Sequence, residues 1–181
     1  GSASIGQVHR ARLISGEDVV VKVQRPNARR QIMSDLVLIR EFVKLTEGYF
    51  VKTGILNPLE IVDTFAKTLQ SELDYNMEVR HLVQFRKLYK GMKRFYIPRP
   101  FSEYSTRQVI TIEFVSGCKV SDVNTLLSWG LEPAEIARAG LDIYLKQIFE
   151  LGIFHADPHP GNVLIKPNGS ITLIDFGMVG K

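Results

Sequence analysis

Residues 154–177 read FHADPHPGNVLIKPNGSITLIDFG, a proline-stiffened loop followed by a short hairpin. The VLIK and ITLI runs are β-prone, and Asn168–Gly169 between them is a strong signal for a two-residue turn. With that turn, Asn162 faces Asp175 across the hairpin. Directly opposed residues have Cβ atoms roughly 4.5–5.5 Å apart. The hairpin therefore predicts that an amide oxygen and a carboxylate lie together.

This pair of oxygen donors predicts a cation site. Mg²⁺ takes oxygen ligands and keeps waters or phosphate oxygens for its other positions. Asn162 and Asp175 are therefore candidate metal ligands. The alternative is a surface hydrogen bond between them, and a register slip of one residue would weaken the metal interpretation.

The loop before the hairpin supplies a third functional group. Asp157 lies five residues before Asn162, in a loop that Pro158 and Pro160 stiffen. A loop carboxylate beside a cation site suits general-base or substrate-positioning work, so Asp157 is the candidate catalytic residue.

The same loop allows a metallohydrolase interpretation, because His155, Asp157 and His159 alternate as ligands on a strand would. A zinc site needs three or four ligands, and the other two histidines and Cys118 lie in unrelated stretches. Prolines at 158 and 160 also oppose a regular strand. The sequence favours a catalytic loop in which His155 packs as a structural histidine and His159 is available to phosphate or substrate.

Composition sets the class of protein. The 181 residues are 45% hydrophobic and 23% charged, as in ordinary globular domains, and suffice for one domain or two small lobes sharing a cleft. No run approaches the roughly 18–20 apolar residues that span a bilayer, so no transmembrane helix is expected. The single cysteine excludes an internal disulfide.

Positive charge gathers in two runs, QRPNARRQ and RKLYKGMKR, within a net charge of +4. Such runs can meet phosphate, anionic lipid or nucleic acid, and the alternative is a solvated helix face. Aromatic residues do not interleave with the second run as RNA binding would require, so no nucleic acid partner is expected.

The opening GSASIGQV has glycines at 1 and 6 with small residues between them. Small side chains let backbone N–H groups approach phosphates closely. A strand, a turn and VVVKV follow, and Lys22 is the only charge in that apolar strand. Lys22 shares a face with Val20, which predicts an apolar patch for an adenine ring beside the lysine. The alternative is an edge lysine that reaches to water.

A lysine that faces phosphates needs a carboxylate to hold it, and SELDYNME offers three. Glu78 begins an amphipathic helix and is the candidate ion-pair partner of Lys22. Glu72 and Asp74 lie about a turn earlier and are open to another role. Surface helix carboxylates are the alternative for each.

The rest of the chain predicts a hairpin around ISGED, several helices, and a second strand pair formed by RFYIPRPFSEY and RQVITIEFV. Helices are expected from residue 32, from residue 58, and over 75–89, 121–130 and 133–151. The expected inward residues are Leu36, Ile39 and Val43; Ile61, Phe65 and Leu69; Val79, Leu82 and Phe85; and Ile136, Leu141, Tyr144, Ile148 and Leu151.

These pieces occur in the order of the protein-kinase signature. The glycine loop has Ala3 in place of its central glycine, VVVK stands where VAIK would, HADPHPGN fits HRDxxxxN with Ala156 for arginine, and DFG is intact at 175–177. SASIGQVHRA, VVVKVQRP, ELDY followed by Glu78, and FHADPHPGNVL resemble the UbiB (aarF-domain, ADCK) atypical kinase family. The resemblance covers nearly the whole chain.

The resemblance implies an α+β, protein-kinase-like two-lobed fold with added N-lobe helices and a truncated C-lobe. Residues 1–115 would form the N-lobe with its helical insertion, and residues 116–181 a partial C-lobe with the catalytic loop and DFG. The family's KxGQ motif is not in this chain. We therefore expect an incomplete domain.

The resemblance also implies the chemistry. It predicts an atypical kinase or ATPase that uses ATP, or another adenine nucleotide, with Mg²⁺ in support of ubiquinone and isoprenoid-lipid biosynthesis. Anionic or isoprenoid lipids and lipid-biosynthesis proteins are the expected partners. The expected location is cytoplasmic, or the matrix side of a mitochondrion or plastid, with peripheral membrane association. The alternative is a non-catalytic nucleotide-binding switch that scaffolds a lipid-biosynthesis complex.

The family's site residues carry over by position. Lys22 resembles the nucleotide lysine, Glu78 its helix partner and Asp157 the catalytic aspartate, while Asn162 and Asp175 resemble the metal ligands. Glu72 and Asp74 resemble the ExD motif.

VITIEFVSG resembles the kinase hinge, where Ile112 would guard the pocket and backbone groups of Glu113 and Val115 would bond the base. The expected nucleotide-binding residues are Ala3, Ser4, Ile5, Gly6, Val8, Val20, Lys22, Glu113 and Val115.

Overall fold

A computed structural model describes residues 5–52, 57–92 and 94–180 of the chain, so Ala3 and Ser4 lie outside the described residues. The fold mixes helices and strands, as expected. The strands are β1 (Gly6–Arg12), β2 (Asp18–Gln24), β3 (Phe95–Tyr96), β4 (Val109–Glu113), β5 (Cys118–Lys119), β6 (Phe154–His155), β7 (Val163–Ile165), β8 (Ile171–Leu173) and β9 (Val179–Gly180). The helices are α1 (Ala28–Leu45), α2 (Glu47–Lys52), α3 (Pro58–Glu72), α4 (Tyr75–Leu88), α5 (Val123–Ser128) and α6 (Pro133–Lys146).

The first sheet has the order β1-β2-β4, and all its pairings are antiparallel. The predicted ISGED hairpin is confirmed, with Arg12 opposite Asp18 at its closed end. Lys22 lies in the central strand, between Val8 on one side and Ile110 on the other. The lysine is therefore held by two neighbouring strands rather than at an edge.

The second sheet has the order β3-β8-β7-β5. The predicted second strand pair forms only in part, because β3 pairs in parallel with β8 and β4 pairs with β2. Proline has no N–H to donate to a ladder, and Pro98 and Pro100 interrupt the segment after β3. Its contact with β4 is reduced to an isolated bridge between Pro100 and Ile112.

The final hairpin forms, but one residue out of the predicted register. Ile165 pairs with Ile171, and the Ile174 amide donates to the Asn162 carbonyl at 3.0 Å. Asn162 therefore stands opposite Ile174 and not opposite Asp175.

Turn chemistry explains the slip. A two-residue type I′ turn needs positive φ at both Asn168 and Gly169, and of these two only Gly169 has it, at 77°. Pro167 instead takes the first corner of a turn closed by the Gly169 amide and the Lys166 carbonyl at 2.9 Å. The loop is thus three residues long, with a glycine bulge.

The predicted inward residues are buried in the helix that packs on both larger sheets. The predicted inward residues of α4, namely Val79, Leu82 and Phe85, are all buried. On α3 the prediction is wrong, because Ile61 and Phe65 are 60% and 52% exposed while Val62 is buried. Helix α3 packs mainly on α1, so only a narrow stripe of its residues is buried.

Helix α6 ends earlier than predicted, at Lys146, and residues 147–151 form a π-helical turn. Ile136 and Ile143 are buried, whereas Leu141 and Ile148 of the predicted face are exposed. Gln147 follows Ile143 by four residues, so it continues the buried face of α6 and lies in the core.

One hydrophobic core joins α4, both larger sheets and α6, and Phe85, Ile110, Ile165 and Phe176 are fully buried in it. Burial of such side chains is the main favourable term in folding. Among the helices of the described ranges, none has the length and apolar composition that a membrane crossing requires.

Candidate active site

Three charged side chains from distant parts of the sequence meet at one buried point. Lys22 Nζ lies 2.7 Å from Glu78 Oε1 and 3.2 Å from Asp175 Oδ2. The side chains of Lys22 and Glu78 are only 9% and 4% exposed, whereas that of Asp175 is 44% exposed. The structure therefore brings together three of the residues that the sequence predicts.

Burial and the sharing of one lysine by two carboxylates together set the direction of the pKa shifts of Lys22 and Glu78. Burial acts to lower the pKa of Lys22, but Glu78 and Asp175 outweigh it and the pKa is raised. Burial, together with the nearby Asp175 charge, raises the pKa of Glu78 even though Lys22 opposes the shift. Lys22 is accordingly held in its charged form.

Helix α4 carries Glu78, and its first turn is fixed by several polar contacts. Asp74 caps the helix by accepting from the Asn76 amide at 3.0 Å and pairs with Arg107 at 3.4 Å. The Gln24 side chain of β2 donates to the Leu73 carbonyl at 3.0 Å. Of the two ExD-like carboxylates, Asp74 thus anchors the helix that places Glu78 beside Lys22.

The segment 175–177 is locked to the same helix. The Phe176 amide donates to Glu78 Oε1 at 3.3 Å, and the Gly177 amide donates to Asp175 Oδ1 at 3.0 Å. The buried Phe176 ring packs edge-on against Phe85 with centroids 5.0 Å apart. Asp175 is therefore turned towards the lysine by a packed aromatic neighbour.

His155 is buried, as predicted for a packed histidine, and it connects the loop that contains Asp157 to this segment. Its Nδ1 accepts from the Asp157 amide at 3.3 Å, and its Nε2 donates to the Asp175 carbonyl. Burial lowers the pKa of His155, so the ring is neutral with its proton on Nε2. Its own amide donates to Gln147 at 2.8 Å.

A cleft of about 520 Å³ extends from Lys22 between the two larger sheets. Asn162 Nδ2 donates to Asp157 Oδ2 at 2.8 Å at one end of it. Asn162 and Asp175 both line the cleft although the hairpin register does not oppose them. The described lining residues are Val8, Val20, Lys22, Ile112, Glu113, Phe114, Val115, Asp157, His159, Gly161, Asn162, Leu164, Ile174 and Asp175.

The residues at the polar end fit a hard cation. Asn162, Asp157 and Asp175 present amide and carboxylate oxygens to one cleft, and Mg²⁺ prefers such ligands.

The other end of the cleft is apolar and contains the predicted hinge. Ile112 and Val115 are buried lining residues. The Glu113 amide donates to the Arg99 carbonyl at 2.8 Å, and the Glu113 carboxylate accepts from Tyr96 at 2.5 Å. The amide and the side chain of Glu113 are therefore engaged in holding the hinge, which leaves its carbonyl as the group to consider for a base.

A smaller cavity of about 100 Å³, here called the carboxylate cavity, adjoins Lys22. Burial raises the pKa of Glu72, and Asp175 and Asp157 add to the shift. Ile5, from the start of the chain, lines this cavity rather than the cleft. The described lining residues are Ile5, Lys22, Glu72, Tyr75, Glu78, Asp157, Asp175, Gly177 and Met178.

Sequence reasoning missed several lining residues. Leu164 follows Asn162 by two positions, so strand alternation would have placed it on the same face. No sequence pattern indicated Tyr75 as a lining residue, because its position in the carboxylate cavity depends on how α4 packs against β1, the strand that contains Gly6. A Cβ on Gly6 would lie 2.9 Å from the Tyr75 hydroxyl.

The metallohydrolase alternative finds no support here. Within residues 5–52, 57–92 and 94–180, no group of three or more His, Cys, Asp or Glu side chains is arranged to hold a metal ion. His155 Nε2 is also occupied by the Asp175 carbonyl.

Comparison with known proteins agrees with this arrangement. The chloroplastic protein ACTIVITY OF BC1 COMPLEX KINASE 3 of Arabidopsis thaliana is 39% identical over 183 residues, which cover 99% of this chain and 25% of that protein. A chloroplastic, uncharacterized aarF domain-containing protein kinase of the same plant is 41% identical over 182 residues, covering 99% and 25%. The chain thus spans about a quarter of the length of these relatives.

A solved structure is also similar. The complex of Rv3197 with erythromycin, from Mycobacterium tuberculosis, superposes with a TM-score of 0.76 at 27% identity and covers 99% of this chain and 44% of that one. The family described as ABC1 atypical kinase-like domain matches residues 1–181. The match over the whole chain confirms the kinase-like fold and the predicted resemblance: this chain belongs to the ABC1 atypical kinase-like family.

Proposed function

We propose that the cleft binds ATP with Mg²⁺ and catalyses phosphoryl transfer or ATP hydrolysis. The observation that carries the proposal is the buried Lys22, held at 2.7 Å by Glu78 and at 3.2 Å by Asp175. In kinases a lysine–glutamate pair and a correctly placed metal-binding aspartate are both required for phosphoryl transfer. The contacts of Lys22 with these two carboxylates support both requirements.

Each polar residue has a proposed task. Lys22, oriented by Glu78, binds phosphate oxygens. Asp157 orients the attacking hydroxyl or water and accepts its proton. Asn162 and Asp175 hold the metal ion, which when bound neutralises charge on the phosphates.

The apolar end of the cleft supports adenine binding. Val8 and Val20 lie on the first sheet, and Ile112 closes the end of the pocket. The Glu113 carbonyl and the Val115 amide are the proposed hydrogen-bonding groups for the base. Gly6 and the neighbouring small residues of the opening loop are proposed to approach the phosphates.

Thermal unfolding with and without ATP and Mg²⁺ tests the proposal. A ligand that binds only the folded state raises stability by RT ln(1 + [L]/Kd), so the midpoint should rise with Mg·ATP. Asp175→Ala should abolish the Mg²⁺-dependent part of the increase. Asp63→Ala is the matched control, since Asp63 is a carboxylate paired with Arg40 at 2.9 Å outside the cleft. An unchanged midpoint in the folded wild-type chain would contradict the proposal.

A non-catalytic switch is the second candidate. Asp157 is already engaged by the Asn162 amide at 2.8 Å, which favours a resting arrangement in which the proposed base is not free. Turnover measurement separates the two candidates: nucleotide binding without phosphate release or transfer would favour the switch.

Further proposals concern the whole protein. We infer two lobes, residues 1–115 and 116–181, that close on the nucleotide. For the whole protein we also propose, from the resemblance, support of ubiquinone and isoprenoid-lipid biosynthesis, peripheral membrane association and an organellar location. The names of the chloroplastic relatives support the organellar location.

The basic run at 86–94 is the proposed contact with anionic lipid, and Lys87, Lys90 and Arg94 in it are exposed. Charge reversal at these three positions should abolish binding to anionic vesicles. Unchanged vesicle binding would contradict the proposed contact of this run with anionic lipid.

A further inference from the structure

We propose that His81 is a positioning residue for the candidate metal ligand Asp175, and that it acts through the peptide unit between Phe176 and Gly177. The inference rests on the proposed nucleotide and metal site. It extends that site by a residue that is not among the described lining residues of the cleft.

His81 lies on α4, three residues after Glu78, so the two side chains share one face of the helix. His81 Nδ1 lies 2.8 Å from the Phe176 carbonyl oxygen. A carbonyl oxygen only accepts hydrogen bonds, so Nδ1 carries a proton and donates it. Glu78 Oε1 accepts from the Phe176 amide at 3.3 Å. One turn of α4 therefore holds both polar groups of the Phe176 backbone.

The side chain of Phe176 is fixed by the same helix. Its ring is fully buried and packs edge-on against Phe85 of α4, with centroids 5.0 Å apart. The ring, the amide and the carbonyl of Phe176 thus each contact α4. The position of this residue follows the position of the helix.

The peptide unit between Phe176 and Gly177 connects His81 to Asp175. A peptide unit is planar and trans, so its C=O and its N–H point in opposite directions and turn together. The C=O accepts from His81, and the Gly177 N–H donates to Asp175 Oδ1 at 3.0 Å. The bond from His81 therefore fixes the direction from which the Gly177 amide reaches the carboxylate.

The two carboxylate oxygens of Asp175 have different partners. Oδ1 accepts from Gly177, whereas Oδ2 lies 3.2 Å from Lys22 Nζ. The side chain is 44% exposed, so packing alone does not fix its rotation. Hydrogen bonds orient a carboxylate that binds a metal, and loss of such support typically lowers metal affinity about 10–100-fold.

Two substitutions at residue 81 separate the hydrogen bond from the bulk of the ring. In His81→Asn, the amide nitrogen takes the place of Nδ1 and keeps a donor for the Phe176 carbonyl. In His81→Leu, an apolar side chain removes the donor. Ser105→Ala is the matched control, because Ser105 Oγ donates to the Phe101 carbonyl at the same distance of 2.8 Å. Ser105 is not among the described lining residues of the cleft.

Hydrogen exchange of the Gly177 amide tests the connection in the chain without nucleotide or metal. The exchange rate, measured by NMR, reports how firmly the peptide unit is held. In His81→Leu this amide should exchange about fivefold to tenfold faster than in the wild type, as loss of one hydrogen bond predicts. In His81→Asn and Ser105→Ala its rate should be close to that of the wild type.

The affinity for ATP tests the consequence for the metal site. It is measured by isothermal titration calorimetry with Mg²⁺ and with EDTA, on variants verified as folded by circular dichroism. The ratio of the two affinities should fall about tenfold in His81→Leu, while the affinity in EDTA stays nearly unchanged. His81→Asn and Ser105→Ala should keep both values.

A double variant tests whether His81 acts through the carboxylate. His81→Leu/Asp175→Ala should have the same ratio of affinities as Asp175→Ala, because the effects of two residues that act through one group do not add. A further fall in the double variant would overturn the route through Asp175.

Three other results would overturn the inference while the nucleotide site stands. One is a ratio that stays unchanged in His81→Leu, whether both affinities are kept or both fall together, since the latter indicates a merely structural role. Another is a His81→Asn variant that loses as much as His81→Leu. The third is an unchanged exchange rate of the Gly177 amide. A wild-type chain whose ATP affinity does not depend on Mg²⁺ would overturn the proposed metal site as well.

Discussion

The Lys22 end of the cleft and the Asp157 end differ in burial and in the contacts that hold them. Lys22 and Glu78 are buried and tied to the core through α4 and Phe176. Asp157 and His159 are exposed and are held by short-range hydrogen bonds of the loop.

The difference assigns separate tasks to the two ends. Buried charges are costly to leave unpaired, so the Lys22 end is coupled to folding and is formed before a ligand binds. The exposed loop can change with little effect on stability. Substitutions at the first end should therefore affect folding and binding together, whereas those at the second should leave folding largely unchanged.

Lys22→Met should have the largest effect on stability. It leaves Glu78 buried without its partner, and breaking a buried pair costs about 3–5 kcal/mol. The free energy of unfolding from urea titration measures the loss. The double variant Lys22→Met/Glu78→Leu should recover most of it, because apolar side chains can replace a buried pair. If the single variant were as stable as the wild type, the Lys22 end would not be coupled to folding.

Asp157→Asn should have the largest effect on turnover with the least effect on folding. Loss of a general base typically lowers the rate about 10²–10⁴-fold, and an exposed substitution changes stability by within about 0.5 kcal/mol. Phosphate release under saturating Mg·ATP measures the first and urea titration the second. Turnover equal to that of the wild type would exclude Asp157 as the base.

Asp74→Ala tests whether the cap of α4 affects nucleotide binding through the position of Glu78. Loss of a helix cap costs about 1 kcal/mol, and Glu78 should lose some of its hold on Lys22, so Mg·ATP affinity should fall. Asp122→Ala is the matched control, because Asp122 caps α5 by accepting from the Thr125 amide at 3.2 Å. The Asp122→Ala substitution should lower the free energy of unfolding by a similar amount and leave the affinity for Mg·ATP unchanged. Equal affinities in both variants would show that the cap is only structural.

A further expected effect concerns pH. Burial depresses the pKa of His155 in the folded chain below the ordinary 6.5, so the unfolded chain binds this proton more readily. Stability is therefore lost as pH falls from about 6.5 to the pKa of the folded chain, by about 1.4 kcal/mol for each pH unit between these two pKa values. The loss should be smaller in His155→Gln, as measured by urea titration between pH 7.5 and 5. Parallel pH profiles would contradict this account.

The sequence predicted what depends on a motif or on strong periodicity. Lys22 and Glu78, far apart in the chain, were paired correctly because a lysine that faces phosphates needs a carboxylate. The inward face of α4 followed from its spacing. The shared location of Asn162 and Asp175 was also predicted, although for the wrong reason.

The errors arose where tertiary context decides. The register of the last hairpin depended on whether Pro167 or Asn168 takes the first corner, and proline's fixed φ favoured the former. Ile61 and Phe65 follow helical spacing yet remain exposed. Spacing predicts which residues share a face of the helix, but it does not predict which element packs on that face. Tyr75 entered the carboxylate cavity through the meeting of two distant elements, which local sequence does not encode.

The buried Lys22 end of the cleft is proposed to form the nucleotide site. The most direct test is calorimetric titration of Mg·ATP into the wild type and into Lys22→Met/Glu78→Leu, both verified as folded. We expect saturable binding by the wild type and at least a hundredfold loss of affinity in the double variant, a difference of about 2.7 kcal/mol. Equal affinity in the two proteins would contradict it.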